Sequence, residues 1–422
     1  MHFWLSIVIF ILVYALIMTE KIHRTIVAML GAAIIIAIGV VNQEKAFESI
    51  DFNTIGLLIG MMIIVGITRQ SGVFEYLAIK SAKLVGGKPL AILAILAVVT
   101  AVASALLDNV TTVLLIVPVT YAITDRLNIS PIPFLFAEIM ASNIGGTSTL
   151  IGDPPNIMIG SATGLGFMDF VTNLALPVVV ILMVTIVIMV FMFRKQLQTT
   201  DDHIQSIFEL NEKESIKDWR LLKRSLIILG LTIIGFLLHQ SLHLESATIA
   251  LLGAAVLMLI TDENPEEVLL NIEWPTIFFF AGLFILVGGL VETGVIELIA
   301  KKALLITEGS LVKTGMLVLW LSAIASAFVD NIPFVATMIP LLQTMGQISH
   351  LPMEPTWWAL ALGACLGGNG TLIGASANVI VAGMAERHGT PIRFMEYLKL
   401  GFPLMLVSIV LSMGYLYIFF WR

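Results

Sequence analysis

Long apolar runs separated by short polar segments dominate the chain. Ten runs come near the ~20 residues that a helix needs to cross a bilayer, and they lie at about 3–19, 25–42, 53–69, 132–162, 172–193, 225–242, 246–261, 274–290, 356–384 and 399–420. Two further runs, 89–124 and 313–345, are each interrupted near the middle by an Asp-Asn pair. Each could be two crossings or a re-entrant hairpin; the short arm between Asp108-Asn109 and Asp125-Arg126 favours the hairpin. The pattern predicts an all-α polytopic membrane protein.

Composition supports a lipid environment and excludes other classes. Of the 422 residues, 58% are hydrophobic and 12% are charged, and the mean hydropathy is +1.01. A soluble domain needs a charged, hydrated shell that this composition cannot supply. The single cysteine, Cys365, excludes a disulfide framework, and the net charge of −7 gives no reason to expect a nucleic-acid partner. The first run, 4–18, lacks a cleavage pattern, so we expect a retained helix rather than a signal peptide.

The distribution of Lys and Arg predicts the orientation. With the polar segment 194–224 in the cytoplasm, 17 of the 22 basic residues, Arg24 among them, fall in inside loops. The other five fall outside; they are Lys45, Lys301, Lys302, Lys313 and Arg422. By the positive-inside rule both termini are outside. On this assignment no Lys or Arg is left at membrane depth.

An internal repeat organises the chain. Asp108-Asn109 recurs 222 residues later as Asp330-Asn331, and the same offset relates Thr149-Leu150-Ile151-Gly152 to Thr371-Leu372-Ile373-Gly374 and Asn156 to Asn378. We expect a first repeat over 1–193, a cytoplasmic linker over 194–224 with an amphipathic helix over 204–224, and a second repeat over 225–422. Each repeat holds five crossings and one hairpin, and the odd number of crossings inverts the second copy. Inverted repeats with broken helices are typical of secondary transporters.

The hairpin tips and two glycine-rich helix breaks are the candidate sites. The breaks are 142–156 and 364–378, and non-helical backbone at this depth is tolerated only inside protein or beside a cavity. Asp and Asn are also good helix caps, so capping alone is the alternative for each acid, Asp153 included. The candidate ion- or substrate-binding residues are Asp108, Asn109, Thr111, Ser142, Asn143, Gly145, Thr147, Thr149, Asp153, Asn156, Asp330, Asn331, Asn369, Thr371, Ser376 and Asn378.

The copies differ in their acids. Asp153 corresponds to Ala375, Glu138 to Leu360 and Thr147 to Asn369. Acids at membrane depth are costly unless they are paired or used. An acid-rich core without a basic residue points to H⁺ or Na⁺ as coupling ion, and we expect no other cofactor.

The motifs resemble those of the ion transporter superfamily, in its branch of ArsB arsenite pumps, NhaD sodium/proton antiporters and pink-eyed-dilution P proteins. They are Asp108-Asn109-Val110-Thr111-Thr112, the segment 143–156 ending in Gly-Asp-Pro-Pro-Asn, and the segment 363–378. Within that branch, these motifs are most like those of the P proteins and their prokaryotic relatives. The long soluble N-terminal region of animal P proteins is absent, so a prokaryotic plasma membrane is the expected location.

The resemblance implies a scaffold region, a moving region of hairpins and broken helices, and elevator-type alternating access. It also implies sodium sites where tips meet breaks, with Asp108, Asn109, Asp330 and Asn331 as ligands. The Asp-Asn tips replace the Ser-Asn-Thr tips of divalent-anion symporters, which argues against dicarboxylate transport. A homodimer is the candidate assembly.

The function predicted from the sequence is cation-coupled secondary transport. The leading hypothesis is an antiporter, driven by H⁺ or Na⁺, that exports Na⁺ or a small oxyacid such as arsenite. A passive anion channel or uniporter and a sodium-coupled carboxylate symporter are the alternatives. An enzyme is not expected, since an intramembrane aspartyl protease needs two facing aspartates.

Overall fold

The computed structural model describes residues 2–19 and 21–421 of the chain. Met1, Glu20 and Arg422 are not among the described residues, so the predicted position of Arg422 on the outer side of the membrane lies outside the described part. Within the described part, nine helices are long and apolar enough to cross a membrane, and both arms of the first hairpin are among them. No β-strand occurs in these residues. The predicted all-α polytopic fold is confirmed.

The helices of the two repeats share one order. In the first repeat they are α1 His2–Thr19, α2 Arg24–Ala37, α3 Gln43–Glu48, α4 Phe52–Gln70, α5 Val73–Leu84, α6 Pro89–Leu106, α7 Asn109–Leu127, α8 Ile132–Gly146, α9 Pro154–Thr163 and α10 Phe167–Phe193. After α11 Asp201–Ser206, the second has α12 Trp219–Leu242, α13 Ser246–Thr261, α14 Pro265–Leu270, α15 Trp274–Glu292, α16 Val295–Thr307, α17 Leu311–Phe328, α18 Asn331–Ser349, α19 Glu354–Gly367, α20 Ser376–Arg387 and α21 Phe394–Phe419. Helices α4 to α9 each begin 222 residues before α15 to α20.

The two interrupted runs form helical hairpins. Arms α6 and α7 meet at Leu107-Asp108, and arms α17 and α18 meet at Val329-Asp330. Each aspartate caps the second arm: an Asp108 carboxylate oxygen accepts from the Thr111 amide at 2.7 Å, and one of Asp330 accepts from the Ile332 amide at 3.1 Å. The tips are therefore helix N-termini, which carry free N–H groups and partial positive charge.

The glycines of the breaks allow close contact between broken helices and hairpins. A Cβ at Gly145 would lie 2.1 Å from the Ala101 carbonyl oxygen on α6, and one at Gly367 would lie 2.6 Å from that of Ala323 on α17. Only glycine allows the backbones to approach so closely. The breaks are thereby pressed against the hairpin arms near the tips.

The linker differs from its predicted structure. Instead of an amphipathic helix over 204–224, it has the short α11, two 3₁₀ turns over 207–209 and 212–215, and the first residues of α12. Side-chain caps explain the interruptions, because Asn211 accepts from the Lys213 amide and Asp218 from the Arg220 and Leu221 amides. The linker also binds the elements at either end of the first hairpin: Glu212 forms an ion pair with Lys83 of α5 at 2.6 Å, and the Thr199 hydroxyl donates to the Leu127 carbonyl at the end of α7.

Candidate functional site

A small cavity of about 30 Å³ lies where the two hairpin tips meet the second halves of the broken helices. The N-termini of α7, α9, α18 and α20 all reach it, through residues such as Asn109, Pro154, Asn331 and Ser376. A cavity of this volume holds one water-sized particle. Its polar and charged lining residues are Arg24, Asp108, Asn109, Asp153, Glu273, Thr276, Asn331 and Ser376.

At the first tip, Asp108 is satisfied by its own helix. One carboxylate oxygen accepts from the Thr111 amide, and the other accepts from the Thr111 hydroxyl at 2.5 Å. The neighbouring Asn109 is buried and donates its side-chain amide to Asn143 at 3.0 Å. Local capping therefore accounts for much of the Asp108 hydrogen bonding.

At the second tip, Asp330 forms an ion pair with Arg24. The guanidinium lies 2.6 Å from one carboxylate oxygen and donates to the Ser376 hydroxyl at 2.7 Å; that hydroxyl also bonds the same carboxylate at 2.8 Å. Position 333, which corresponds to Thr111, is a proline, so this tip lacks the amide and hydroxyl that satisfy Asp108. Arg24 also stacks on the ring of Phe279 at 5.0 Å.

The expectation of a core without basic residues was wrong. Arg24, which the positive-inside count placed in a loop, is the first residue of α2 and reaches the second tip. The cause is the shortness of α2: its 14 residues span only about 21 Å at 1.5 Å per residue. A cavity of about 310 Å³ opens beside Arg24, Asp330 and Ser376.

Buried amides connect the two repeats behind the cavity. Asn143 accepts from Asn109 and donates to Asn369 and Asn378, both at 2.9 Å. All four side chains are at most 4% exposed. Because a buried polar network must be fully bonded to be stable, this cluster fixes one break against the other. Asn143 corresponds to Cys365, so the cluster has no counterpart in the other half.

Asp153 occupies the N-cap position of α9, yet its side chain makes no capping bond. It points instead to the second tip, where the Asn331 amide lies 3.3 Å from both carboxylate oxygens. The residue is 1% exposed. The capping alternative for Asp153 therefore does not describe its geometry.

The remaining candidates brace the breaks. Hydroxyls of the breaks donate to backbone carbonyls: Thr149 to Ala105 and Thr371 to Ala327, both at 2.5 Å. Ser142 donates to the Ile139 carbonyl one turn earlier on α8, and Thr147 donates to the Asn143 carbonyl within its own break. The Asn156 and Asn378 amides donate to carbonyls of their respective breaks. Gly145 makes the close contact with α6 described above.

Sequence reasoning missed Arg24, Glu273 and Thr276 as lining residues; Arg24 is the first residue of α2, Glu273 directly precedes α15, and Thr276 lies in the first turn of α15. Among the described residues, no group of three or more His, Cys, Asp or Glu side chains is arranged to hold a metal ion. A sodium site here would have to combine backbone, hydroxyl or amide oxygens with fewer than three carboxylates.

An inverted repeat whose hairpin tips and broken helices enclose a buried polar cavity defines the class of this protein as a secondary-transporter fold. The sequence profile described as Citrate transporter (CitMHS) matches residues 14–363, so the chain belongs to that family. A transporter of Mycobacterium bovis, named as uncharacterized, is 46% identical over 98% of this chain and 97% of its own length. The human P protein is 38% identical over 96% of this chain, which spans 58% of that protein.

The YdaH transporter of Alcanivorax borkumensis, a solved structure, resembles this fold with a TM-score of 0.61 over 99% of this chain and 98% of its own. Its sequence identity is 14%, so the likeness concerns the fold alone. The resemblance to P proteins within the ion transporter superfamily is confirmed. The protein is a multi-pass membrane transporter, and its mycobacterial relatives point to a prokaryotic membrane.

Proposed function

We propose that this protein is a cation-coupled secondary transporter and that Asp153 carries the coupling ion, with H⁺ as the first candidate. The observation that carries the proposal is the environment of Asp153. Its carboxyl group is 1% exposed and lines the cavity between the tips, and its side-chain hydrogen-bond partners among the described residues, the Asn331 amide and the Cys365 thiol, are both neutral.

The physical reason is the cost of an unpaired buried charge. An ionised carboxylate inside protein needs a cation or several strong donors, and Asp153 has neither a Lys nor an Arg bonded to it. Binding a proton removes the charge, and binding Na⁺ compensates it. The volume of about 30 Å³ admits either, but no large solute.

The repeat supports alternating access of the elevator type. In this conformation the cavity lies beside Glu273 and Thr276, at the start of α15. The 222-residue offset relates these two to Asp51 and Thr54 of the first repeat, at the start of α4. Asp51 lines a separate cavity of about 500 Å³ between α3, α9, α15 and α18. Exchanging the two environments by moving the hairpins and broken helices gives the opposite-facing state.

The cargo proposed first is Na⁺ or a small oxyacid such as arsenite, exported in exchange for the driving ion. Arg24 favours a second candidate, a carboxylate anion. The Arg24 side chain is 26% exposed and lines the cavity of about 310 Å³. A planar guanidinium is well suited to bind a carboxylate, and the family profile is described as Citrate transporter.

Flux into proteoliposomes with an imposed pH gradient tests the proposal, with Na⁺, arsenite, citrate and chloride offered in turn. We expect one cargo to move against its gradient, and Asp153→Asn to abolish that coupled flux. Asp125→Asn makes the same chemical change at an exposed position of α7 and should leave coupled flux unchanged. Flux that only runs downhill would instead indicate a passive channel, and full coupling in Asp153→Asn would remove Asp153 from the mechanism.

A further inference from the structure

A second buried acid lies away from the cavity. Glu138 is in the middle of α8 and is 0% exposed. Its Oε1 accepts a short hydrogen bond from the hydroxyl of Thr120 on α7. Its Oε2 is buried and has no hydrogen-bond partner among the described residues. Glu138 therefore has one donor for two carboxyl oxygens.

The second repeat shows that the fold does not need this pair. Glu138 corresponds to Leu360 and Thr120 to Leu342, and both leucines are 0% exposed. The same helix contact is thus made by two apolar side chains in one copy and by an acid and a hydroxyl in the other. A buried acid that packing does not require is a candidate functional group.

We infer that Glu138 is a second proton-binding site, and that it holds a proton in this conformation. A protonated carboxyl group carries no charge, so it can be buried beside a single hydroxyl, whereas an ionised one requires more donors or a cation. The orphan Oε2 is the oxygen that carries the proton. The ligand of this site is the proton itself, because among the described residues no oxygen ligand other than the Thr120 hydroxyl is bonded to Glu138.

Among the described residues, no cation is bonded to Glu138. Tyr121, next to Thr120, bonds Thr390 and stacks on His388 at 4.1 Å. Helix α6 and the 3₁₀ turn at 368–370 contain no ionisable side chain. The ionisable residues on or just after the other helices packed against α8 are Tyr121, Asp125 and Arg126 of α7, Asp169 and Arg194 of α10, Glu354 and Cys365 of α19, and Glu386, Arg387 and His388 at the end of α20. Helix α21, whose Tyr397 stacks on Phe136 of α8, adds Glu396, Tyr397, Lys399, Tyr415 and Tyr417. None of them is hydrogen-bonded to Glu138.

The position of Glu138 connects it to the central site. It lies five residues before Asn143 on the same helix, a rise of about 7.5 Å. It also lies between the break and the Ile132 end of α8, which the orientation predicted above places on the cytoplasmic side. A proton released from Glu138 would leave a negative charge on the helix that holds the amide cluster. The role of Glu138 in transport rests on the proposed proton coupling, whereas the presence of a proton on Glu138 does not.

Infrared difference spectroscopy of the full chain in lipid nanodiscs tests for the bound proton. The carbonyl band of a protonated carboxylic acid should be present at neutral pH in the wild type and in Asp153→Asn, and Glu138→Gln should remove one component of it. Glutamine keeps the shape and can still accept from Thr120, so folding is retained. A spectrum in which Glu138→Gln removes no such component at neutral pH overturns the inference, whatever the transport assays give.

The corresponding transport test uses the second repeat as its own control. The double variant Thr120→Leu/Glu138→Leu copies the Leu342–Leu360 contact and should fold with wild-type thermal stability. We expect it and Glu138→Gln to shift the pH dependence of coupled flux while retaining cargo exchange without a gradient. An unchanged pH profile in both variants, with proton-coupled flux intact, overturns the transport role of Glu138. Absence of proton coupling in the wild type overturns H⁺ as the coupling ion of the proposed function, and the infrared result still decides on the site.

Discussion

The Arg24–Asp330 ion pair joins α2 to the tip of the second hairpin and allows a quantitative test of the site. Arg24→Gln removes the guanidinium and leaves Asp330 with the Ser376 hydroxyl and the Ile332 amide. Hydrogen bonds to charged groups contribute about 1.5–3 kcal/mol. The side chains are 26% and 13% exposed, so solvent screens part of this energy. We expect each of Arg24→Gln and Asp330→Asn to lower the free energy of unfolding by about 2 kcal/mol.

A double-mutant cycle isolates the interaction itself. We expect a coupling energy of about 1–2 kcal/mol between Arg24 and Asp330, measured by unfolding in mixed detergent micelles with tryptophan fluorescence as the signal. The Lys313–Glu308 pair is the control, because its side chains are 52% and 73% exposed. Exposed pairs of this kind contribute about 0–1 kcal/mol. Additive effects of Arg24→Gln and Asp330→Asn would refute the ion pair as an energetic link between scaffold and tip.

Three further predictions concern the breaks and the linker. Asn143→Ala removes three buried amide bonds and should destabilise the protein by about 2–4 kcal/mol in the same unfolding assay; a loss below that of a surface substitution would contradict the network. Gly145→Ala places a methyl group against a backbone carbonyl of α6 and should cost about 3 kcal/mol or prevent folding, whereas Gly66→Ala, with open space around it, should be neutral in thermal unfolding. The bond from Lys83 lowers the pKa of Glu212, so the stabilisation by this ion pair is present above the ordinary pKa of Glu and is lost as pH falls through the lowered pKa. Amide hydrogen exchange over residues 207–218, relative to the intrinsic exchange rate, should therefore rise as pH falls through that value. Glu212→Gln should have fast exchange at every pH.

Much of the fold could be predicted because helix ends and close backbone contacts require particular residue types. The Asp-Asn pairs indicate the hairpin tips by helix capping, and the glycines of the breaks indicate close backbone contacts; both features recur at the 222-residue offset. Such requirements are local, so they can be recognised in a short stretch of sequence. The amphipathic linker helix was a poorer prediction, since Asn211 and Asp218 bind nearby amides and interrupt the helical spacing.

The partners within the site could not be predicted from the same patterns. Arg24 and Asp330 lie 306 residues apart, and nothing in a positive-inside count states how deep an inside residue reaches. The Asn331–Asp153 contact likewise joins the second tip to the first break. Both pairs cross the repeats, so they depend on how the inverted copies fit together. No signal for Arg24 was available in the sequence, because the predicted apolar run over 25–42 has 18 residues, whereas α2 ends at Ala37 after 14 residues and is too short to span the bilayer.

The differences between the repeats assign unlike roles to the two tips. The tip at Asp330 is bound by Arg24, whose counterpart in the second repeat is the neutral Ser246. The tip at Asp108 has no such cation bonded to it and is held by Thr111. The unpaired acids Asp153 and Glu138 both lie in the first repeat. A purely structural role of the two repeats does not explain why these buried acids occur in one copy only. We infer that the first broken helix handles the coupling cation, while the Arg24 end of the site is where an anionic cargo would compete with Asp330.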